Sequence, residues 1–256
     1  MKVIHILPMA MATAVATSQS FAEEAEKQPG WWLPGAFSGY ATVMNNYDYR
    51  GITYSDDDPA IQGSLNYGLD TGYAGTSIYA GVRGTNVEFN DGDRAHVELD
   101  WSFGLSGQVL DSGLGWSLGG IYYQFPGAGD YNFWEVASAL TYPIGLVTLR
   151  AAINYSPDFF NGSGEEWYPH GGFRVSIPIP DNWFTLAFDA YTGYMWIEDN
   201  DRFGAADYQD WKIGFVLGIK NVALSAYYTD TDLTKNQCRN TGDCGARAVL
   251  AATVFF

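Results

Sequence analysis

Taken at every second residue, the stretch from Ala95 to Val109 separates into two unlike sets. Ala95, Val97, Leu99, Trp101, Phe103, Leu105, Gly107 and Val109 alternate with His96, Glu98, Asp100, Ser102, Gly104, Ser106 and Gln108. Side chains with period two belong to a β-strand, whose successive residues point to opposite faces. At roughly 3.3 Å per residue this run reaches about 50 Å, longer than the usual strand of a soluble domain.

The same pattern returns along the chain. A first run covers about Phe37 to Tyr49, with Phe37, Gly39, Ala41, Val43 and Tyr47 against Ser38, Thr42, Asn46 and Asp48. Clean examples follow at Val147 to Tyr155, at Trp211 to Ile219 and at Ala248 to Phe256, while Ile121 and Tyr123 blur the two faces of a fifth run. Twelve runs are predicted in all. The connections at 51–59, 88–94, 126–130, 156–166, 197–207 and 230–245 are mostly long, whereas those at 70–74, 111–115, 143–145, 178–182 and 220–221 are short. An even number of antiparallel strands with long loops at one end and tight turns at the other predicts an all-β fold, a closed transmembrane β-barrel of the outer-membrane type. Closure follows from lipid itself, which cannot satisfy the polar groups of an open sheet edge. Trp134, Tyr155, Trp211 and Tyr228 fall at the long-loop ends of their runs, and Trp116, Tyr142, Phe184 and Phe256 at the turn ends, as two interfacial girdles would. The competing arrangement is a secreted soluble barrel or sandwich that packs the apolar face as its core.

Composition narrows the choice. Only 16% of the 256 residues are charged and 16% are aromatic, a poor match to an ordinary soluble domain. A net charge of −16 argues against nucleic acid as a partner, because phosphate backbones recruit Lys and Arg. Residues 1–22 read as a secretory signal: Lys2, an apolar stretch from Val3 to Thr17, then Ser20-Phe21-Ala22 as a cleavage site. Residues 23–35 are a polar tail ending in Trp31 and Trp32, and 36–256 are the barrel. An outer-membrane location in a Gram-negative bacterium, with both termini periplasmic, is expected. Export lets Cys238 and Cys244 form a disulfide; free thiols in a loop are the alternative.

Several segments carry a resemblance. Tyr47-Asp-Tyr-Arg-Gly-Ile-Thr-Tyr-Ser-Asp-Asp-Asp-Pro-Ala-Ile-Gln-Gly63 resembles the opening signature of the TorF family of porins. Tyr79-Ala-Gly-Val-Arg-Gly-Thr-Asn-Val87, Asp207-Tyr208 before Trp211, and Tyr228-Thr-Asp-Thr-Asp-Leu233 agree with it. The resemblance spans nearly the whole mature chain and implies an outer-membrane barrel with no catalytic residues to carry over. The ending Thr-Val-Phe-Phe lacks the charged penultimate residue of such chains but keeps the terminal aromatic, Phe256, for the barrel-assembly machinery.

With the apolar faces on lipid, the polar faces line a lumen. Its expected acids are Asp48, Glu98, Asp100, Glu135, Asp189 and Asp210, and its bases Arg50, Arg83, Arg150, Arg174, Lys212 and Arg247, with His96 and His170 near the rim. An acidic wall around Glu98 and Asp100 facing a basic wall around Arg150 and Arg174 would set a transverse field for polar solutes. Alternatively, these charges pair and plug a narrow barrel. Carboxylates in the long loops far outnumber the cations there, which are Arg94, Arg202, Lys235 and Arg239. Asp56, Asp57, Asp58, Asp91, Asp93, Glu165, Glu166, Glu198, Asp199 and Asp201 form the expected acidic mouth, which would concentrate cations. The expected function is therefore a porin-like channel for small polar solutes or ions, weakly cation-selective, in contact with outer-membrane lipid and lipopolysaccharide. No cofactor motif is present. A structural or adhesive barrel is one alternative; an enzyme using His96, Glu98 and Asp100, which share one strand face, is another.

Overall fold

In a computed structural model the chain forms a closed antiparallel barrel of twelve strands. The structure describes residues 34–256 apart from 91, 93, 110, 111, 181 and 182. The proposed signal and nearly all of the tail thus lie outside the described residues.

In chain order the strands are β1 (Ala36–Met44), β2 (Asp48–Tyr49), β3 (Ile52–Thr53), β4 (Ala60–Tyr73), β5 (Thr76–Asn86), β6 (Val97–Gln108), β7 (Gly115–Gln124), β8 (Phe133–Ile144), β9 (Val147–Ser156), β10 (Glu166–Ile177), β11 (Thr185–Ile197), β12 (Tyr208–Ile219), β13 (Val222–Thr231) and β14 (Arg247–Phe255). All but β2 and β3 belong to the barrel wall, each paired with its neighbours in sequence. The seam joins β1 to β14, with Tyr40 opposite Phe255 and Met44 opposite Ala251. Gly39 and Phe256 extend the seam by exchanging backbone bonds of 2.8 and 3.0 Å. No edge is left open, as a lipid-embedded sheet requires.

Turns follow local chemistry. The β12–β13 connection is Lys220-Asn221, with Lys220 left-handed at φ 53°, and β4–β5 turns through Ala74 (φ 49°) and Gly75 (φ 63°). Positive φ at the centre of a two-residue loop matches the twist of the flanking strands.

Alternation sorts the wall into two faces. On β6, Trp101, Phe103 and Leu105 are exposed outward, while Glu98, Asp100, Ser102 and Ser106 are buried inward. The outward face is apolar around the whole barrel, with Ile61, Leu118, Leu140, Phe215 and Leu250 all exposed. Trp134, Tyr142, Tyr228 and Phe256 are exposed on it, and Trp116, Tyr155 and Trp211 are half-buried, so the expected girdle residues share the outer face.

Two boundaries differ from the sequence pattern. The Ala95–Val109 run contributes Val97–Gln108 to the wall, with buried Ala95 and exposed His96 preceding the strand. The first run leaves the barrel at Met44 rather than continuing to Tyr49. Asn45 ends it: its side-chain oxygen accepts the Leu250 N–H (2.6 Å) and its amide donates to the Ala248 carbonyl (3.0 Å). A side chain thereby takes the place of a backbone partner on β14, and the chain turns inward.

Candidate functional site: a lumen closed by the first loop

The segment 45–59 folds into the barrel as a miniature hairpin. Asp48 and Tyr49 pair with Thr53 and Ile52 across Arg50 (φ 52°) and Gly51 (φ 81°). Gly51 is required there twice over. Its φ is left-handed, and a Cβ would lie 2.4 Å from Thr231 Cγ2 on β13 and 3.0 Å from Asp210 Cβ on β12.

From that tip Arg50 crosses to the opposite wall. Its two Nη atoms bond Glu135 on β8 (2.7 Å) and Glu166 on β10 (2.8 Å), and its guanidinium lies 4.2 Å from the Tyr168 ring centroid. Both carboxylates are fully buried. Glu135 also accepts from Tyr123 (3.2 Å) and Asn154 (2.6 Å), so its charge is held by several donors. On the other side of the hairpin, Asp48 meets Lys212 (3.0 Å) and Arg247 (3.5 Å). Tyr47 donates to Glu98 at 2.7 Å. Arg247 ties down the loop through Asp57 (3.2 Å) and the Gly51 carbonyl (3.0 Å).

Around the hairpin, aromatic rings fill the long-loop half of the lumen. Tyr47, Tyr54, Phe125, Phe133, Phe159, Tyr168 and Tyr208 are buried in one cluster, with Tyr49, Phe89, Tyr131 and Phe160 packed on it. Neighbouring rings meet edge-on or stacked, as Tyr54 on Phe89 (5.0 Å) and Tyr131 on Phe160 (4.5 Å), an arrangement favoured by the ring quadrupole. None of these residues was among the expected lining. Their signal was nonetheless present, since solvated loops do not ordinarily carry Tyr47, Tyr49, Tyr54 and Phe159-Phe160, and the blurred faces of the fifth run reflect Ile121 and Tyr123 turned inward. Above the plug lies a cavity of about 400 Å³, lined by Tyr54, Phe89, Tyr131 and Phe160 and by the loop that the Cys238–Cys244 disulfide closes.

The expected lumen charges therefore face inward, but in local pairs rather than in opposed walls. Arg83 binds Asp100 through Nε (2.6 Å) and approaches Glu98 (3.5 Å). Arg174 grips Asp189 with two bonds of 2.6 and 2.5 Å, directly opposite it in the β10–β11 register. Asp210 accepts from Tyr168 (2.8 Å), and His170 shares a hydrogen bond with Asn154 (3.1 Å) and stacks on Tyr168. Arg150 is half-buried on the lumen side, with no ion pair among the described residues. His96 is the exception, standing exposed before β6. The constellation His96, Glu98 and Asp100 is not assembled, because the strand begins only after His96 and the two carboxylates turn to Tyr47 and Arg83.

At the mouth, Asp56, Asp57, Asp58, Glu165, Glu198, Asp199 and Asp201 are exposed, and Asp91 and Asp93 lie outside the described residues. Glu166 is a correction. It opens β10 with its side chain inward, so it belongs to the buried Arg50 cluster and not to the solvated rim. On the outer loops Arg94 pairs with Asp130, and that hydrogen bond holds the Asp130 carboxyl below its ordinary range.

A family model described as Gcw_chp, a bacterial protein of unknown function, matches residues 32–255. No curated protein matches the sequence. Among solved structures, the COG4313 outer membrane channel from Pseudomonas putida F1 superposes with a TM-score of 0.53 at 10% identity, over 90% of this chain and 100% of that one. CdiB from Escherichia coli gives 0.50 at 12% identity, covering 88% of this chain and 64% of its own. LpxR from Salmonella typhimurium gives 0.49 at 11%, over 86% and 99%. At such identities the likeness is one of fold.

Proposed function

The chain belongs to the Gcw_chp family of bacterial proteins of unknown function, and we propose that it is a gated outer-membrane channel for small polar solutes or ions. The observation that carries this reading is the first loop. A twelve-stranded wall with a charged interior is closed at the long-loop end by one hairpin that shares no barrel ladder with its neighbours. Swinging that hairpin out would open a polar passage without breaking the wall. The fold likeness to the Pseudomonas channel supports a transport role over an enzymatic one, and the TorF resemblance points the same way. The exposed carboxylates at the mouth favour cations within about 8–10 Å at moderate salt, the Debye length there. Insertion through a signal sequence, recognition of the strand ending in Phe256 by the assembly machinery, and lipopolysaccharide around the long loops complete the reading.

Planar-bilayer recording tests it. Wild-type protein should show small, infrequent steps with a reversal potential biased towards cations in a salt gradient. Replacing 46–58 by a short Gly-Ser linker should give larger, long-lived steps. Silence from both proteins, each shown to be folded by heat-modifiable gel migration, would refute a channel.

A further inference from the structure

Among the described residues the Arg150 guanidinium has no ion-pair partner, and the register explains why. At one level of the wall, Arg150 on β9 is opposite Gly172 on β10, which is opposite Tyr191 on β11, which is opposite Lys212 on β12. Gly172 puts no side chain between Arg150 and Tyr191, and a Cβ there would meet the Ala190 carbonyl at 2.2 Å. The row therefore keeps a notch beside Arg150.

Every nearby carboxylate is already engaged. Asp189 gives both oxygens to Arg174, and Tyr227 donates to one of them at 2.8 Å. Asp48 is taken by Lys212 and Arg247, and Asp210 by Tyr168. Arg150 Nε is buried and has no hydrogen-bond partner among the described residues. An unpaired guanidinium on a wall that crosses a membrane is costly unless an anion or water answers it. Beside it lies a cavity of about 80 Å³ bordered by Arg150, His170, Arg174, Tyr191, Lys212 and Tyr227. A water needs about 10–15 Å³ of such space, so a group the size of acetate fits. Arg150 keeps partial exposure and the Arg174 side chain is 10% exposed, so the chamber is in contact with water.

We infer that this turn-side chamber is a binding site for a small oxyanion, with the carboxylate of a small organic acid as the ligand class and the Arg150 guanidinium as its anchor. Tyr191 and Lys212 border the ligand, while Arg174 stays committed to Asp189. The site requires a folded barrel and does not depend on conduction. It sits inside a protein whose mouth is acidic, so a solute carrying both charges, gathered by its cation and held by its carboxylate, is the best match to both ends.

The test is a titration of the folded barrel in detergent micelles, following arginine Nε–Hε cross-peaks by NMR. Arg150→Lys identifies the Arg150 peak by its disappearance. Sodium acetate should shift that peak saturably, and sodium chloride at matched ionic strength should shift it less. Inorganic phosphate, run separately, distinguishes a general oxyanion site from a carboxylate site. Arg150→Met should weaken acetate binding at least tenfold, read from the thermal midpoint of heat-modifiable migration. Should that variant fail to fold, Arg150→Lys, which keeps the charge but loses the planar fork, should weaken binding by a smaller factor. A peak that moves only linearly, or that moves for neither anion, would overturn the inference, as would undiminished binding in a folded Arg150 variant.

Discussion

Arg50→Met is expected to open the channel. In the closed barrel Arg50 is the charge partner of both Glu135 and Glu166, neither of which is exposed at all. Methionine fills much of the same space and removes the cation, leaving two bare carboxylates beneath the hairpin. Taking one partner out of a buried pair typically costs about 3–5 kcal/mol. Glu135 keeps Tyr123 and Asn154 as donors, which argues for the low end. When the loop is out, water reaches both carboxylates and the cost disappears, so nearly all of it falls on the closed state. About 3 kcal/mol, at 1.4 kcal/mol per tenfold, is a shift of roughly 150-fold towards open. Single-channel open probability in planar bilayers is the assay, with heat-modifiable migration to confirm that the wall is intact. A charge-based account also predicts rescue, because Arg50→Met combined with Glu135→Gln and Glu166→Gln has nothing left to repel and should close again. If Arg50→Met opens no more often than wild type, the pairs do not hold the loop. If the triple variant remains as open as the single one, lost packing rather than bare charge is the cause.

Two further outcomes follow from the wall and the loops. Phe103 lies in the middle of β6 and is 65% exposed outward; Phe103→Arg should cost about 2–4 kcal/mol in lipid vesicles, while Val109→Arg beyond the strand end should cost about 0–1, read from denaturant midpoints, and equal costs would deny that this face meets lipid. Arg94 holds Asp130 below the ordinary carboxyl range, so the pair contributes above the unfolded pKa and is lost as pH falls through the lowered value; Arg94→Ala should move the Asp130 titration upward in carboxyl NMR, and an unmoved titration would remove Arg94 as the cause.

The wall was legible because period two is a local property. Any segment that alternates over ten residues has one apolar face whatever lies beside it, and the rhythm of long and short connections then sets the closure. The first loop defeated the same test for an instructive reason. Asp48 and Tyr49 do form a strand, so the alternation that carried the first run on to Tyr49 was genuine, but it serves a private hairpin with Ile52 and Thr53 rather than the barrel. Periodicity reports that a residue is extended and says nothing of which strand it pairs with. The contacts that close the lumen are further out of reach: Arg50 meets Glu135 and Glu166 at separations of 85 and 116 residues. Placing Glu166 on the mouth was the same error in one residue, since a position at a loop–strand boundary faces in or out according to where the strand begins.

Charge complementarity explains why the hairpin occupies this position. Without the loop, the wall beneath it carries Glu98, Asp100, Glu135 and Glu166 on one side, where among the described residues Arg83 is the only wall cation paired with any of them, and Lys212 and Arg247, with Asp210 two residues before Lys212 on β12, on the other. The loop inverts that pattern, presenting Arg50 to Glu135 and Glu166 and Asp48 to Lys212 and Arg247. A hairpin inserted upside down would set Arg50 against cations and Asp48 against carboxylates, so the pairs select orientation as well as supply attachment. The geometry also bounds what the loop can neutralise. Its tip is Arg50-Gly51, stopped by Thr231 and Asp210, and Arg150 lies beyond it towards the turn end of β9. A guanidinium outside the reach of the protein's own plug is left to a counter-ion from solution, and the same hairpin that closes the upper lumen therefore decides where a solute would have to bind below it.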